Sequence, residues 1–258
     1  MIVRQDPVAL RLDIVGAGPA FTDRPGATGA AYLVRHDATA ILLDLGQGSF
    51  PRLAGLIDPG RLDAVLVSHL HPDHFVDLVA LRHFLRWGPR STRRVRVIGP
   101  AGLAERIDAL HAEPGFSAVT LDIETLVPGA FAIGSIAVEV RPVTHDGPSF
   151  AFRVSAASGP GLVYSGDCGR AADLDLLVRP GDALLAEVSF GPGPVPPDAA
   201  HLDGPSVGAL ARRSGAGRVL LTHLLMDQDE TETVESVRRA YDGPVTMVHP
   251  GDQLSIVG

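Results

Sequence analysis

The stretch VLVSHLHPDHFVDL, Val65 to Leu78, runs from an apolar, strand-like segment straight into His69, His71, Asp73 and His74. In extended backbone, side chains two apart project to one side, so His69 and His71 face together. Pro72 then turns the chain, and Asp73 and His74 follow at once. Adjacent side chains diverge, so a single metal ion does not take all four groups, whereas two neighbouring ions do. The competing reading is a solvated helix start with Asp73 as its N-cap; it suits one histidine better than three beside a carboxylate.

Two ions need further ligands. Three candidates lie downstream, each closing an apolar strand-like run: His145 in VEVRPVTH, Asp167 in LVYSGD and His223 in VLLTH. Singly, each is equally a strand-end polar group satisfied by backbone. Together they sit where open α/β folds gather their sites, at strand ends.

The rest of the chain narrows the chemistry. Its 258 residues, 45% hydrophobic and 20% charged, suffice for one large core or two small ones. The single cysteine, Cys168, excludes an internal disulfide framework and any multi-cysteine zinc site, so a bound metal is held by His, Asp and Glu. Cys168 itself reads as a small buried residue. A formal charge of −8 argues against an extended nucleic-acid surface. All 22 basic residues are arginine, so Schiff-base chemistry has no lysine to use. No apolar run reaches the roughly eighteen residues of a membrane span, and the first residues lack a signal-peptide pattern; a cytoplasmic protein without membrane contact is expected.

Apolar runs alternate with turn-rich segments throughout. Strands are expected at 10–16, 30–35, 40–46, 64–69, 95–99, 136–145, 149–155, 161–167, 182–189, 218–224, 245–250 and 253–257. Helices are expected at 75–87, 101–111, 171–178, 205–214 and 230–241, with Asp203 placed to cap the fourth and Pro205 near its first turn. This pattern suits sheets covered by helices in one α/β (α+β) domain spanning 1–258. Gly16-Ala17-Gly18 in DIVGAGPA imitates a dinucleotide fingerprint, but Phe21 stands where the third glycine belongs and turn formers follow.

HLHPDH followed by strand-end His, Asp and His resembles the metallo-β-lactamase fold superfamily, whose hallmark is His-x-His-x-Asp-His. The likeness runs over nearly the whole chain. It implies a four-layer αβ/βα sandwich with a dinuclear site at one edge. Carried over by residue, His69, His71 and His145 hold one divalent ion, Asp73, His74 and His223 hold the second, and Asp167 bridges them. Asp44, closing AILLDLG, matches the strand-end aspartate that braces the histidine loop. The nitrogen and oxygen donors suit zinc, with manganese or iron as alternatives. Two such ions share a water and lower its pKa towards neutrality, so hydrolysis is the implied reaction.

The segment AHLDGPSVGALARRSGAGRVLLTHL, 200–224, resembles the ribonuclease Z-type branch and its short phosphodiesterase relatives. There a histidine before a helix assists the leaving group, which makes His201, with Asp73, the expected catalytic pair. Asp203 stands where a hydroxyl residue is usual; it either orients His201 or only caps the helix. Only a short hairpin separates His145 from Asp167, where the bacterial ribonuclease carries a long basic arm, so a small phosphodiester such as a cyclic nucleotide is expected rather than transfer RNA. A carboxyl substrate (lactone, ester, thioester or lactam) is the alternative, and a non-catalytic metal-binding protein is a third reading. The proline-rich loop SFGPGPVPPDAAHL, 189–202, is expected to rim the site, with Phe190 and Asp203 near substrate. The five arginines of RWGPRSTRRVR, 86–96, read as a solvated run and Trp87 as packed. A small-molecule substrate and a homodimer complete the expected partners.

Overall fold

Leucine, valine and isoleucine at consecutive positions make strands with two apolar faces, and such strands need cover on both sides. The computed structural model describes residues 9–89, 93–157 and 159–257. Its strands are β1 (Leu10–Gly16), β2 (Ala31–His36), β3 (Thr39–Leu43), β4 (Ala64–Leu66), β5 (Val95–Gly99), β6 (Leu121–Thr125), β7 (Gly129–Ile133) and β8 (Ile136–Val143). They continue as β9 (Ser149–Ser155), β10 (Leu162–Tyr164), β11 (Ala183–Glu187), β12 (Arg218–Thr222), β13 (Val245–Met247) and β14 (Gln253–Ile256). The helices are α1 (Phe50–Leu56), α2 (Pro72–Phe75), α3 (Leu78–Trp87), α4 (Leu103–His111), α5 (Gly204–Ser214) and α6 (Glu230–Arg238).

Two seven-stranded sheets result, ordered β14-β1-β2-β3-β4-β5-β6 and β13-β12-β11-β10-β9-β8-β7. The inner faces meet in one core, where Ile14, Tyr32, Ile41 and Leu66 of the first sheet oppose Val140, Phe152, Tyr164 and Leu185 of the second. The outer face of the first sheet packs Leu33, Leu42 and Val65 against Leu53 of α1, Leu81 of α3 and Ile107 of α4. The outer face of the second packs Val163, Leu184 and Val219 against Val207 and Leu210 of α5 and Val237 of α6. Each such fully buried side chain contributes roughly 1.5–3 kcal/mol. The layers are helix, sheet, sheet, helix, as the expected αβ/βα sandwich requires. Among the described residues no helix is long and apolar enough to cross a membrane.

Several local expectations are corrected. The expected helix 75–87 is two helices, α2 and α3, broken at Val76 and Asp77; the expected helix 171–178 is a short 3-10 turn, Ala171–Leu174. β6, β7 and α1 carried no sequence signal strong enough to be anticipated. β6 is an edge strand whose Asp122 and Glu124 pair with Arg94, just before β5, and Arg96 of β5, so it does not read as an apolar run. Those pairs hold Arg94 and Arg96 against β6, whereas Arg93 donates to Leu62 O just before β4; Arg90 lies outside the described residues. Trp87 is not packed: it is 73% exposed, with the Arg86 guanidinium 4.9 Å from its ring centroid. The Gly16-Ala17-Gly18 turn leads into β2, and a Cβ at Gly16 would lie 1.9 Å from Gly29 O, so backbone approach is its reason.

One buried ion pair fastens the second sheet. Arg153 of β9 donates two hydrogen bonds, 2.7 and 2.8 Å, to Asp182, which also accepts from Gly161 N and Arg179 N. Burial pushes the Asp182 carboxyl up, but Arg153 and the backbone donors outweigh it and hold it below its usual value. A depressed pKa contributes stability above the usual carboxylate value, and that stability is lost as pH falls through the folded one. Asp182→Ala strands a buried guanidinium and is expected to cost about 3–5 kcal/mol at pH 7. Urea unfolding of both proteins measures this, and the gap should narrow in acid; a loss under about 1 kcal/mol would make the pair no better than a surface one.

Candidate metal centre

Strand direction collects the polar groups. β9 is antiparallel to both β8 and β10, so β8 and β10 run the same way, and β11 and β12 are parallel to β10. His145, Asp167, Glu187 and His223 therefore leave β8, β10, β11 and β12 at one edge of the second sheet. β3 and β4 are parallel, so Asp44 and the His69–His74 loop leave one edge of the first. The two edges are joined directly: Phe150 N donates to Ser68 O at 3.1 Å, and the Tyr164 hydroxyl donates to Asp44 Oδ2 at 2.7 Å.

Three groups of ligand atoms result among the described residues, each with its atoms within 4.8 Å of one another: His69, His71, His145 and Asp167; Asp73, His74 and His223; and Asp167, His201 and His223. The first and third share Asp167, which also faces the second. Its Oδ2 is 3.6 Å from His69 Nε2 and 3.7 Å from His145 Nε2, while Oδ1 is 3.3 Å from His74 Nε2 and 3.6 Å from His223 Nε2. Asp73 Oδ2 lies 3.1 Å from His223 Nε2. His145 Nδ1 donates to Ala200 O at 2.9 Å, which leaves its Nε2 lone pair facing His71 Nδ1 at 3.2 Å. His201 is next to this cage, its Nδ1 4.0 Å from Asp167 Oδ2 and its ring stacked on His223 at 5.9 Å between centroids.

Two buried carboxylates hold the imidazoles. Asp44 accepts from Ser68 N, Ser68 Oγ, Tyr164 Oη and His74 Nδ1 at 2.6–2.7 Å. Glu187 accepts from Cys168 N, Leu202 N and His201 Nδ1 at Oε1, and from Ser189 N and Ser189 Oγ at Oε2. Backbone conformation is strained at two of these positions. Asp44 and His223 both have φ of 59°, a left-handed conformation costing roughly 1–2 kcal/mol for a residue with a Cβ. Their amides are held by Leu66 O and Ala17 O. A Cβ at Gly46 would sit 1.8 Å from Asp73 O, so glycine lets β3's exit pack against the histidine loop.

Burial, and then the neighbouring imidazoles, push the His69 ring well below its usual pKa. Burial lowers His71 as well. His74 and His223 are pulled down by burial, but Asp167 with Asp44 or Asp73 outweighs it, and both rise. Burial pushes Asp167 up, yet the His223 and His74 charges hold it well below the carboxylate range. At His201 burial is again outweighed, here by the hydrogen bond and charge of Glu187, and the ring rises to about 9.

Comparison with known proteins agrees with this architecture. Residues 40–224 match the model of the beta-lactamase superfamily domain. The chain belongs to the metallo-β-lactamase superfamily. It is 30% identical over 256 residues to an uncharacterized protein of Mycobacterium leprae, covering 96% of this chain and 89% of that one. It is 24% identical over 246 residues to the probable metallo-hydrolase YhfI of Bacillus subtilis, covering 94% and 98%. The crystal structure of YhfI superposes with a TM-score of 0.85 at 21% identity, over 96% of this chain and all of that one. Human tRNase Z, short form, superposes at 0.73 with 21% identity, over 95% and 99%.

The metallo-β-lactamase site fits divalent ions on its own chemistry. His69 Nε2 and Asp167 Oδ1 are buried with no hydrogen-bond partner, an arrangement that costs free energy unless something else satisfies them. The Ser68 hydroxyl gives its proton to Asp44, so it accepts from His69 Nδ1 and leaves the orphaned Nε2 with a lone pair. The donors are imidazole nitrogens and carboxylate oxygens, the set that takes divalent first-row ions. Family and ligand clusters together make this chain a metallo-β-lactamase-fold metal-dependent hydrolase.

All seven expected ligand residues converge on the metallo-β-lactamase edge, with Asp44 behind His74 and His201 alongside. Phe190 is at the rim, its ring centroid 6.1 Å from that of His201. Asp203 does not orient His201. It caps α5, accepting from Ser206 N at 2.9 Å in a capping box, and the carboxylate on His201 is Glu187. Cys168 is buried and outside all of these clusters, its thiol pushed up to about 12 by burial. Glu187, Ser189, Ser68 and Tyr164 escaped the sequence reading. Glu187 had a usable signal: it closes DALLAE as Asp44 closes AILLD.

Proposed function

We propose that the protein hydrolyses a small phosphodiester such as a cyclic nucleotide. The observation that carries this reading is His201, a half-buried imidazole beside Asp167 and hydrogen-bonded through Nδ1 to the buried Glu187. Divalent ions in the cage, zinc in this reading, supply Lewis acidity and a water activated near neutral pH. His69, His71 and His145 would hold one ion and Asp73, His74 and His223 a second, with Asp167 available to either. Attack of a water oxygen on phosphorus expels an alkoxide, a poor leaving group that needs a proton. Glu187 occupies His201 Nδ1, so Nε2–H delivers that proton, and the proton shed by the attacking water restores the imidazolium. Carbonyl hydrolysis of an activated ester has no comparable need of an acid at this position. The name of the human short tRNase Z, a nuclease on the same fold, supports phosphoryl chemistry here by analogy.

A paired assay tests the reading. Zinc- and manganese-loaded protein is offered bis-p-nitrophenyl phosphate and cyclic AMP in one arm, and an aryl ester, a thioester and a lactone in the other. Metal-dependent turnover confined to the phosphodiesters is expected. Turnover only in the second arm would replace this substrate class with a carboxyl one.

A further inference from the structure

Each sheet closes its edge with the same device. In the first, Asp44 at the end of β3 takes His74 Nδ1 directly at 2.7 Å and reaches His69 through Ser68, whose Oγ is 2.7 Å from Asp44 Oδ2 and 3.1 Å from His69 Nδ1. In the second, Glu187 at the end of β11 takes His201 Nδ1 directly at 3.0 Å. It reaches His223 through Ser189, whose Oγ is 2.7 Å from Glu187 Oε2 and 3.0 Å from His223 Nδ1. Both serines are fully buried.

We infer that Ser68 and Ser189 are a matched pair of positioning residues, each setting the tautomer of one ligand histidine, Ser68 for the first ion and Ser189 for the second. A hydroxyl has one proton and two lone pairs. An ionised carboxylate only accepts, so each serine gives its proton to Asp44 or Glu187 and must accept from the imidazole. The histidine then carries its proton on Nδ1 and turns an Nε2 lone pair into the cage. For His223 that lone pair faces Asp73 Oδ2 at 3.1 Å and Asp167 Oδ1 at 3.6 Å. For His69 it is the orphaned Nε2, 3.6 Å from Asp167 Oδ2. Without the serine, His223 gains by moving its proton to Nε2 and donating to Asp73, a tautomer that cannot ligate. Ser189 Oγ also lies 3.2 Å from His201 Nδ1, so this one hydroxyl joins the proposed acid to the second ion's ligand.

This inference rests on the two-ion reading above and divides it by site. Apo-protein is titrated with zinc against a chelator, and ring nitrogens are followed by long-range proton–nitrogen NMR, so metal retention and tautomer are read without activity. Wild type should hold two ions. Ser189→Ala is expected to bind the second about 10–100-fold more weakly, releasing His223 while His69, His71 and His145 stay engaged. Ser68→Ala should do the reverse, loosening His69 while His223 stays. Ser189→Thr and Ser68→Thr keep the hydroxyl and should restore wild-type binding, which separates tautomer control from misfolding. Two ions held at wild-type strength in both alanine variants, or equal loss of both ions in each, would overturn the inference. A wild-type protein that takes one ion or none would overturn the two-ion reading and this inference with it.

Discussion

Asp167→Ala is expected to abolish metal-dependent hydrolysis, with a fall in kcat/KM of at least about a thousandfold, or about 4 kcal/mol of transition-state stabilisation. Asp167 is the carboxylate that groups with His69, His71 and His145 and also faces His74 and His223. Its two oxygens face different pairs of imidazoles at 3.3–3.7 Å, and the side chain is almost completely buried. Removing a single histidine leaves Asp167 between the remaining imidazoles; removing Asp167 takes away the carboxylate that faces both pairs, including His74 and His223, whose Nε2 atoms lie 3.4 Å apart. Circular dichroism should show the sandwich intact, because the cores between and outside the sheets do not include Asp167. Metal analysis of the purified variant should give fewer than two ions per chain. Wild-type metal content together with wild-type turnover would remove Asp167 from the centre of this scheme.

The second large effect concerns His201. On the proposed mechanism His201→Ala lowers kcat by about 10²–10⁴ for a cyclic nucleotide, whose leaving alkoxide is strongly basic. The loss should be far smaller for bis-p-nitrophenyl phosphate, whose leaving group departs without help. Equal losses on the two substrates would assign His201 to binding or structure instead. Its pH dependence follows from Glu187. The raised pKa of about 9 keeps the ring protonated at neutral pH, so activity should fall as pH rises through that value. Glu187→Gln removes the charge that opposes burial, the ring pKa drops, and the alkaline limb should move to lower pH. A limb that stays in place would mean that another group titrates there.

Much of this was legible without coordinates. The histidine–aspartate cluster in HLHPDH and the polar residues closing three later apolar runs pointed to the candidate ligands, because metal chemistry demands particular donors and strand ends are where the chain can present them. The strands of both sheets that bury both faces were visible for a similar reason: continuous apolar runs have few other uses. What failed to show were elements stabilised by partners distant in sequence. β6 is a half-exposed edge strand held by its parallel ladder to β5, and α1 has only seven residues.

Candidate donors, then, were visible in the sequence; their geometry was not. That β8, β10, β11 and β12 point one way follows from pairing between strands, and pairing is decided by which apolar faces bury each other. The role of Asp203 went the same way. From sequence it was as good a partner for His201 as any acid, but the start of α5 had free amides to satisfy, and Asp203 turned to them. Glu187 and Ser189, two residues apart, reached His201 and His223, 14 and 34 positions further along the chain. Separations of that kind are closed only by the packed sandwich, since no local propensity brings a strand-end carboxylate and two remote imidazoles around one buried hydroxyl.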